Sequence, residues 1–313
     1  DPVAVRPVNA GVGAVLDSLA TSASGDMALI ENELSMLSTS SQVDAALNQL
    51  HPVMNQGVTD VSNTALNQLI NTITTHLDNI RNGVNTGDAM NGQWKDIAIW
   101  DKGFGTYAKQ NRRSGIDGYT ASVGGMALGL DGLVDDRFRL GLSGGWAYTN
   151  VINRDTDNGT GINSYQGSLY GSYDANPYYV DGALSFAWNH YAGSRRIVFG
   201  GIDRTANADY DGQQFSGYLE GGHTFKHEGW KIIPSASLQY LHLNIQSYTE
   251  TDAGDVNLSV ASQGYDLLQS GFGVKLAYPM ETANGVFIPE VHAKWLMISS
   301  EINRRRPPRL PAE

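Results

Sequence analysis

From Arg137 to Thr149 the chain sets Phe138, Leu140, Leu142, Trp146 and Tyr148 against Arg137, Arg139, Gly141, Ser143, Ala147 and Thr149. Successive side chains of a β-strand point to opposite faces, so this segment has one apolar, aromatic face and one small or polar face. Such a strand has two outlets for its apolar face. A soluble sheet buries it beneath a second layer, whereas an outer-membrane barrel turns it to lipid and keeps the polar face for its lumen.

The pattern recurs. Tyr178, Val180, Leu184, Phe186 and Trp188 alternate with Tyr179, Asp181, Ala183, Ser185 and Ala187, and Phe215, Leu219 and Phe225 alternate with Ser216, Tyr218, Glu220 and Thr224. Leu268, Phe272, Val274 and Leu276 then interleave with Gln269, Gly271, Gly273 and Lys275, and Val291, Ala293 and Trp295 with Glu290, His292 and Lys294. No run of about eighteen apolar residues exists, which excludes helical spans only, since a barrel strand needs roughly 10 alternating residues. The 36 glycines and 15 tyrosines suit small lumen positions and interfacial aromatics. A net charge of −11 argues against nucleic acid. The absence of cysteine excludes a disulfide framework and a thiolate metal site. No signal peptide is visible, so a chain opening at Asp1 reads as a fragment lacking its natural N-terminus.

Residues 1–57 are helical in pattern. Val12, Val15, Leu16 and Leu19 fall at helical spacing, as do Met27, Ile30, Leu34 and Leu37, with Asp26 where an N-cap is expected. A third short helix with Val43, Ala46, Leu47 and Leu50 is predicted to stop near His51-Pro52. A longer helix spans Val58 to Arg81, with Leu66, Leu69, Ile73, Leu77 and Ile80 on one stripe. Asn, Thr and Gln fill its other faces, which suits a polar, confined setting; a plain amphipathic helix packed on a partner is the other reading. Gly83 to Gly92 reads as a linker. About nine strands follow from Ile97. Hairpin turns are expected at Asn158-Gly159, Asn176-Pro177, Glu228-Gly229 and Asn284-Gly285, and longer polar connections at Asn153 to Gly161 and Gly193 to Asp211.

With these strands in place, the chain resembles the autotransporter β-domain, the translocator of type V secretion in Gram-negative bacteria. The resemblance runs from about Val12 to Leu296. It rests on Trp100-x3-Phe104-Gly105-x-Tyr107, Gly118-Tyr119-x5-Gly125-x3-Gly129-x-Asp131 and Phe138-Arg139-Leu140-Gly141. Tyr165-Gln166-Gly167-Ser168-Leu169-Tyr170-Gly171, Tyr179-Val180-Asp181-Gly182-Ala183-Leu184-Ser185, Gly271-Phe272-Gly273-Val274 and Pro289-Glu290-x4-Trp295 follow in order. The resemblance implies an all-β, antiparallel, twelve-stranded transmembrane barrel, with a pore-threading helix joining an exported passenger to the first strand. Asp181, Glu220, Lys275, Glu290 and Lys294 would line the lumen, some touching the helix. Phe138, Trp146, Tyr148, Phe186, Trp188, Phe272 and Trp295 would face lipid or form the girdles. The partners implied are outer-membrane lipid, the barrel assembly machinery and the chain's own upstream passenger.

Two departures stand out. Some family members cut their passenger free between adjacent asparagines in the linker helix, and this chain has no Asn-Asn pair. After Leu296 the text turns to Met297-Ile298-Ser299-Ser300-Glu301-Ile302-Asn303-Arg304-Arg305-Arg306-Pro307-Pro308, where three arginines and two prolines are poor material for a lipid-facing strand. The expectation is a truncated relative with unpaired edges. The organisation is therefore a helical pre-barrel region over 1–57, linker helix and connection over 58–96, barrel over 97–296 and an aberrant tail over 297–313.

Catalytic signals are weak. His223-x3-His227 sits beside a predicted turn rather than within a helix, and Asp155-x-Asp157-x-Gly159 has Gln166 where a calcium loop needs its bidentate Glu. No Gly-x-Ser-x-Gly elbow or His-Glu-x-x-His motif occurs. No active site, metal, cofactor, small-molecule substrate or nucleic acid is predicted. Tyr and Trp residues at strand ends are expected in the interfacial girdles. A porin-like channel without a passenger, a non-functional truncated translocator and a soluble β-sandwich adhesin or lectin-like module remain as alternatives.

Overall fold

Alternation this regular pairs consecutive strands into one antiparallel meander. The computed structural model describes residues 9–19, 23–52, 56–83, 97–112, 117–156, 158–282 and 285–304. Four helices come first: α1 (Ala10–Leu19), α2 (Gly25–Ser35), α3 (Ser40–Gln49) and α4 (Gln56–Arg81). The strands are β1 (Ile97–Gln110), β2 (Tyr119–Leu133), β3 (Phe138–Asn153), β4 (Gly159–Ala175), β5 (Tyr178–Phe199), β6 (Ile202–His223) and β7 (Phe225–His227). They continue with β8 (Trp230–Ile245), β9 (Tyr248–Thr249), β10 (Ser259–Val260), β11 (Gln263–Ala277), β12 (Met280–Thr282), β13 (Gly285–Phe287) and β14 (Glu290–Arg304). The main sheet runs β1-β2-β3-β4-β5-β6-β8-β11-β14, with β7 added against β8, and it curls into a half-barrel. Among the described residues β1 and β14 are its edges. Asn176-Pro177 joins β4 to β5. Glu228-Gly229 joins β7 to β8 with φ of 47° and 85°, the positive values a two-residue hairpin turn requires.

The two faces differ as the alternation requires. Outward on β5, Tyr178, Val180, Leu184, Phe186 and Trp188 are exposed, a stretch matching the 9–11 residues of a tilted membrane strand. Leu128 and Leu130 on β2, Leu140 and Leu142 on β3, Leu219 on β6, Leu238 on β8 and Val274 on β11 continue this exposed band. Many inward positions facing the helix are small, among them Ala121, Ala127, Ala147, Ala183 and Ala187, and against them packs the α4 stripe Leu66, Leu69, Ile73 and Leu77. At 1.5 Å per residue α4 is about 39 Å long, more than the ~25 Å apolar band of an outer-membrane barrel. Register explains two of the sequence motifs: Trp100 stands opposite Gly129 and Phe104 opposite Gly125. A Cβ on Gly129 would lie 2.5 Å from the Trp100 indole, so only glycine admits the ring.

Several expectations change. Gly193 to Asp211 is no loop: β5 and β6 stay paired out to Phe199 opposite Ile202, turning at Gly200-Gly201. Its outward residues Ser194, Arg196, Asp203 and Asn207 are as polar as a loop's, while its inward Ile197, Phe199, Ile202 and Ala206 are buried under α2 and α3. Asn153 to Gly161 is likewise a short hairpin, where Asn153 Oδ1 accepts from the Asp155 N–H at 2.8 Å. Asp26 is not the N-cap of α2; Ser24 takes that position, and the Asp26 carboxylate turns to Arg204 instead. Strand β14 runs on past Leu296 to Arg304, paired with β11, so the tail predicted from 297 joins the sheet over its first residues. A bulge on β14 opposite Leu268/Gln269 shifts the register there by one residue. Pro307 and Pro308 lie outside the described residues, as does the linker beyond Gly83.

Candidate functional site

Helix α4 lies along the concave face and its polar side chains are tied to the wall from one end to the other. At the N-terminal end the Tyr119 hydroxyl donates to Asp60 at 3.3 Å, and Ser62 Oγ meets the Tyr191 hydroxyl at 3.1 Å. Gln214 Nε2 on β6 donates to Asn63 Oδ1 at 2.8 Å, and Gln239 Nε2 on β8 donates to Asn67 Oδ1 at 2.7 Å. Thr64, Thr72 and Thr75 instead bond the carbonyls of Asp60, Gln68 and Asn71 in the helix itself. Asn and Ser of the helix thus supply short, neutral partners for a wall of Gln and Tyr, while these threonines satisfy themselves on the helix backbone.

Charge concentrates at the C-terminal end. Arg81 donates to both oxygens of buried Asp181 at 2.7 and 2.8 Å, stands over the Tyr179 ring at 3.7 Å, and shares Asp181 with Ser172 Oγ at 2.6 Å. Lys275 pairs with Asp78 of α4 and lies 4.0 Å from Glu290. Lys294 donates to Glu220 at 2.8 Å and to the Tyr218 hydroxyl at 3.1 Å. Of the five charged residues predicted for the lumen, Asp181 and Lys275 bond α4, while Glu220 and Lys294 pair with each other along the wall. Together with Thr74, Thr75 and His292 these groups line a cavity of about 160 Å³ between α4 and the β8–β11–β14 side. Of the predicted lipid-facing residues, Trp146, Tyr148, Phe186, Trp188, Phe272 and Trp295 are exposed on the outer surface, and Phe138 is half-buried.

One turn before the charged C-terminal end of the helix sits a joint that sequence patterning did not indicate. His76 Nε2 meets Asp131 Oδ2 at 2.5 Å and its ring stacks on Trp100, centroids 5.0 Å apart. Trp100 Nε1 donates to the Tyr170 hydroxyl, which donates to Asp131, each at 2.7 Å, and Arg139 from β3 completes the carboxylate. A carboxylate as buried as Asp131, 1% exposed, requires this degree of pairing. The sequence carries part of its signal, since Asp131 and Arg139 both fall on the polar side of their alternation.

Residues 99–301 match the autotransporter β-domain family. The chain belongs to that family. Outer membrane protein B of Rickettsia rickettsii is 31% identical over 205 residues, covering 62% of this chain but only 12% of the relative. This autotransporter β-domain therefore corresponds to a small part of the relative's length. Among solved structures, the translocator domain of the autotransporter NalP from Neisseria meningitidis shares the fold, with a TM-score of 0.55 and 15% identity over 77% of this chain and 82% of that one. The β-domain of the Bordetella autotransporter BrkA does too, at 0.51 and 18% over 67% and 82%. An autotransporter β-domain resides in the bacterial outer membrane as a transmembrane β-barrel, which accounts for the exposed apolar band.

Beyond that band the autotransporter β-domain carries a platform. The distal parts of β5 and β6, with residues 248–260, receive α2 and α3. Arg195, fully buried, bonds Glu250 through Nε (3.1 Å) and Nη2, the Val256 carbonyl (2.8 Å), and the Gln49 carbonyl at the end of α3 (2.9 Å). Seven of the 15 tyrosines are buried inside rather than in girdles: Tyr119, Tyr170, Tyr179, Tyr191, Tyr210, Tyr248 and Tyr265. Tyr191, Tyr210 and Tyr248 stack at 4.8 and 4.2 Å above the helix N-terminus. His223 closes β6 against Tyr178 and Phe225, and Asp155 takes Arg112 at 2.5 Å. Among the described residues no metal-holding group of His, Asp or Glu occurs.

Proposed function

We propose that this chain is the translocating unit of a longer autotransporter, with α4 as the segment left in the lumen after export and α1–α3 outside at the mouth. One observation carries the reading. Helix α4 passes along the concave wall from the Tyr191–Tyr248 end to the tight-turn rim at Arg81–Asp181, bonded to the wall throughout. A segment in that position joins what lies outside to β1 on the other side. The polar wall lets an extended chain pass without burying unsatisfied groups, and pairing of strands keeps backbone polar groups from lipid. The work is transport, and no step of it requires a catalytic residue. The partners needed are outer-membrane lipid, the assembly machinery that inserts barrels, and the passenger upstream; no cofactor, nucleic acid or small-molecule substrate enters.

The chain has no cysteine, so one engineered pair reports cleanly. Asn67→Cys with Gln239→Cys joins α4 to β8 where the native side chains bond at 2.7 Å. In cells, a short bifunctional thiol reagent is expected to join the two cysteines, since they are too widely spaced for a direct disulfide, with a mobility shift absent from either single variant. Free thiols at both positions in a folded, membrane-inserted chain would overturn the reading.

A further inference from the structure

Each cap helix is ten or eleven residues long, shorter than the length at which an isolated helix persists in water. Their order therefore comes from what they rest on. Met27, Ile30, Leu34, Val43, Ala46, Leu47 and Leu50 are buried against Ile197, Phe199, Ile202, Ala206, Ala253 and Val256. Polar contacts ring this core. Glu33 accepts from the Gly201 N–H at the hairpin tip (3.0 Å), Gln49 Oε1 from the Val198 N–H (2.5 Å), and Asp26 from Arg204. Asn48 Nδ2 donates to Asp117 in the β1–β2 connection (2.8 Å). Arg195 lies at the centre. Glu250 takes Nε and Nη2 of its guanidinium, and Nη1 donates to the Gln49 carbonyl at the end of α3, where a helix favours a cation.

From this we infer that the platform is a binding site for a helical segment, occupied here by residues 25–50, and that it holds this segment without needing the peptide connection to α4. The inference rests on the proposed reading that the cap lies outside. Its consequence is a clasp: a cut between the cap and α4 would leave the exported end attached to the cell. The apolar core, the hairpin-tip N–H groups and the Arg195–helix contact all act across space, and none passes through residues 53–55.

The test inserts a specific protease site between Pro52 and Gln56 in the otherwise native chain. Purified in detergent, the cut protein is expected to elute as one species, the N-terminal fragment travelling with the sheet. Leu47→Asp, which places a charge in the cap side of the interface and leaves every strand untouched, is expected to abolish co-elution after cutting. The uncut variant keeps the folded mobility of the parent. Separation of the native fragment on cutting would overturn the clasp, and so would co-elution that survives Leu47→Asp. The proposed reading fails separately: protease added to intact cells would then leave the site uncut, whatever the detergent result.

Discussion

Asp26 ties two parts of the platform at once. Its N–H donates to the Asp255 carboxylate at 3.0 Å and its own carboxylate takes both terminal nitrogens of Arg204. The Arg204 hydrogen bond holds the Asp26 carboxyl below its ordinary value of 3.8, outweighing the opposing effect of burial; the Asp255 N–H, which donates to the Asp26 carboxylate at 3.4 Å, and the Arg204 charge act in the same direction. A carboxyl depressed in the folded state stabilises it fully above the unfolded value and loses that contribution as pH falls through the folded value. Cap docking is therefore expected to be constant from pH 7 to 5 and to weaken below about pH 4. Co-elution of the cut chain, measured across that range, checks this. Asp26→Asn is expected to bind more weakly at pH 7 and to lack the part of the acid loss that belongs to this pair.

Helix α4 is the element in which sequence and structure agree most closely, and the agreement has a cause. Its stripe repeats at helical spacing because one side meets the small inward residues of β2 to β5, and its neutral polar faces reflect a wall of amides and hydroxyls. The β5–β6 hairpin was illegible for the converse reason. Beyond Trp188 its outward side meets water and its inward side meets α2 and α3, so the lipid signature ends while the strands continue. Pairing was hidden as well: nothing local tells that Arg195 meets Glu250, 55 residues on, or that His76 meets Asp131. What anchors α4 at its far end is testable. Arg81→Ala leaves buried Asp181 with Ser172 and no cation, a loss of about 3–5 kcal/mol by the usual cost of orphaning a buried charge. The temperature at which the folded, fast-migrating form is lost is expected to drop. Adding Asp181→Asn is expected to recover much of it, because the two changes share one interaction.

At the scale of the whole molecule, the outer band decides between lipid and water as the solvent of the sheet. Leu184 lies in the middle of the exposed apolar stretch of β5, two residues before Phe186 and four before Trp188; Ala192 points the same way from the part of the strand beyond it. In water both positions are exposed, and an arginine at either would cost little. In a bilayer they differ. An arginine at mid-depth costs about 2–4 kcal/mol, falling to roughly 0–1 near the interface. Leu184→Arg is therefore expected to lower the unfolding free energy in lipid vesicles by about that larger amount, while Ala192→Arg leaves it near the parent value. Equal, small effects at both sites would place the band in water. The contrast needs no assumption about what the domain exports, because it depends only on where a strand with this alternation meets hydrocarbon and where it leaves it.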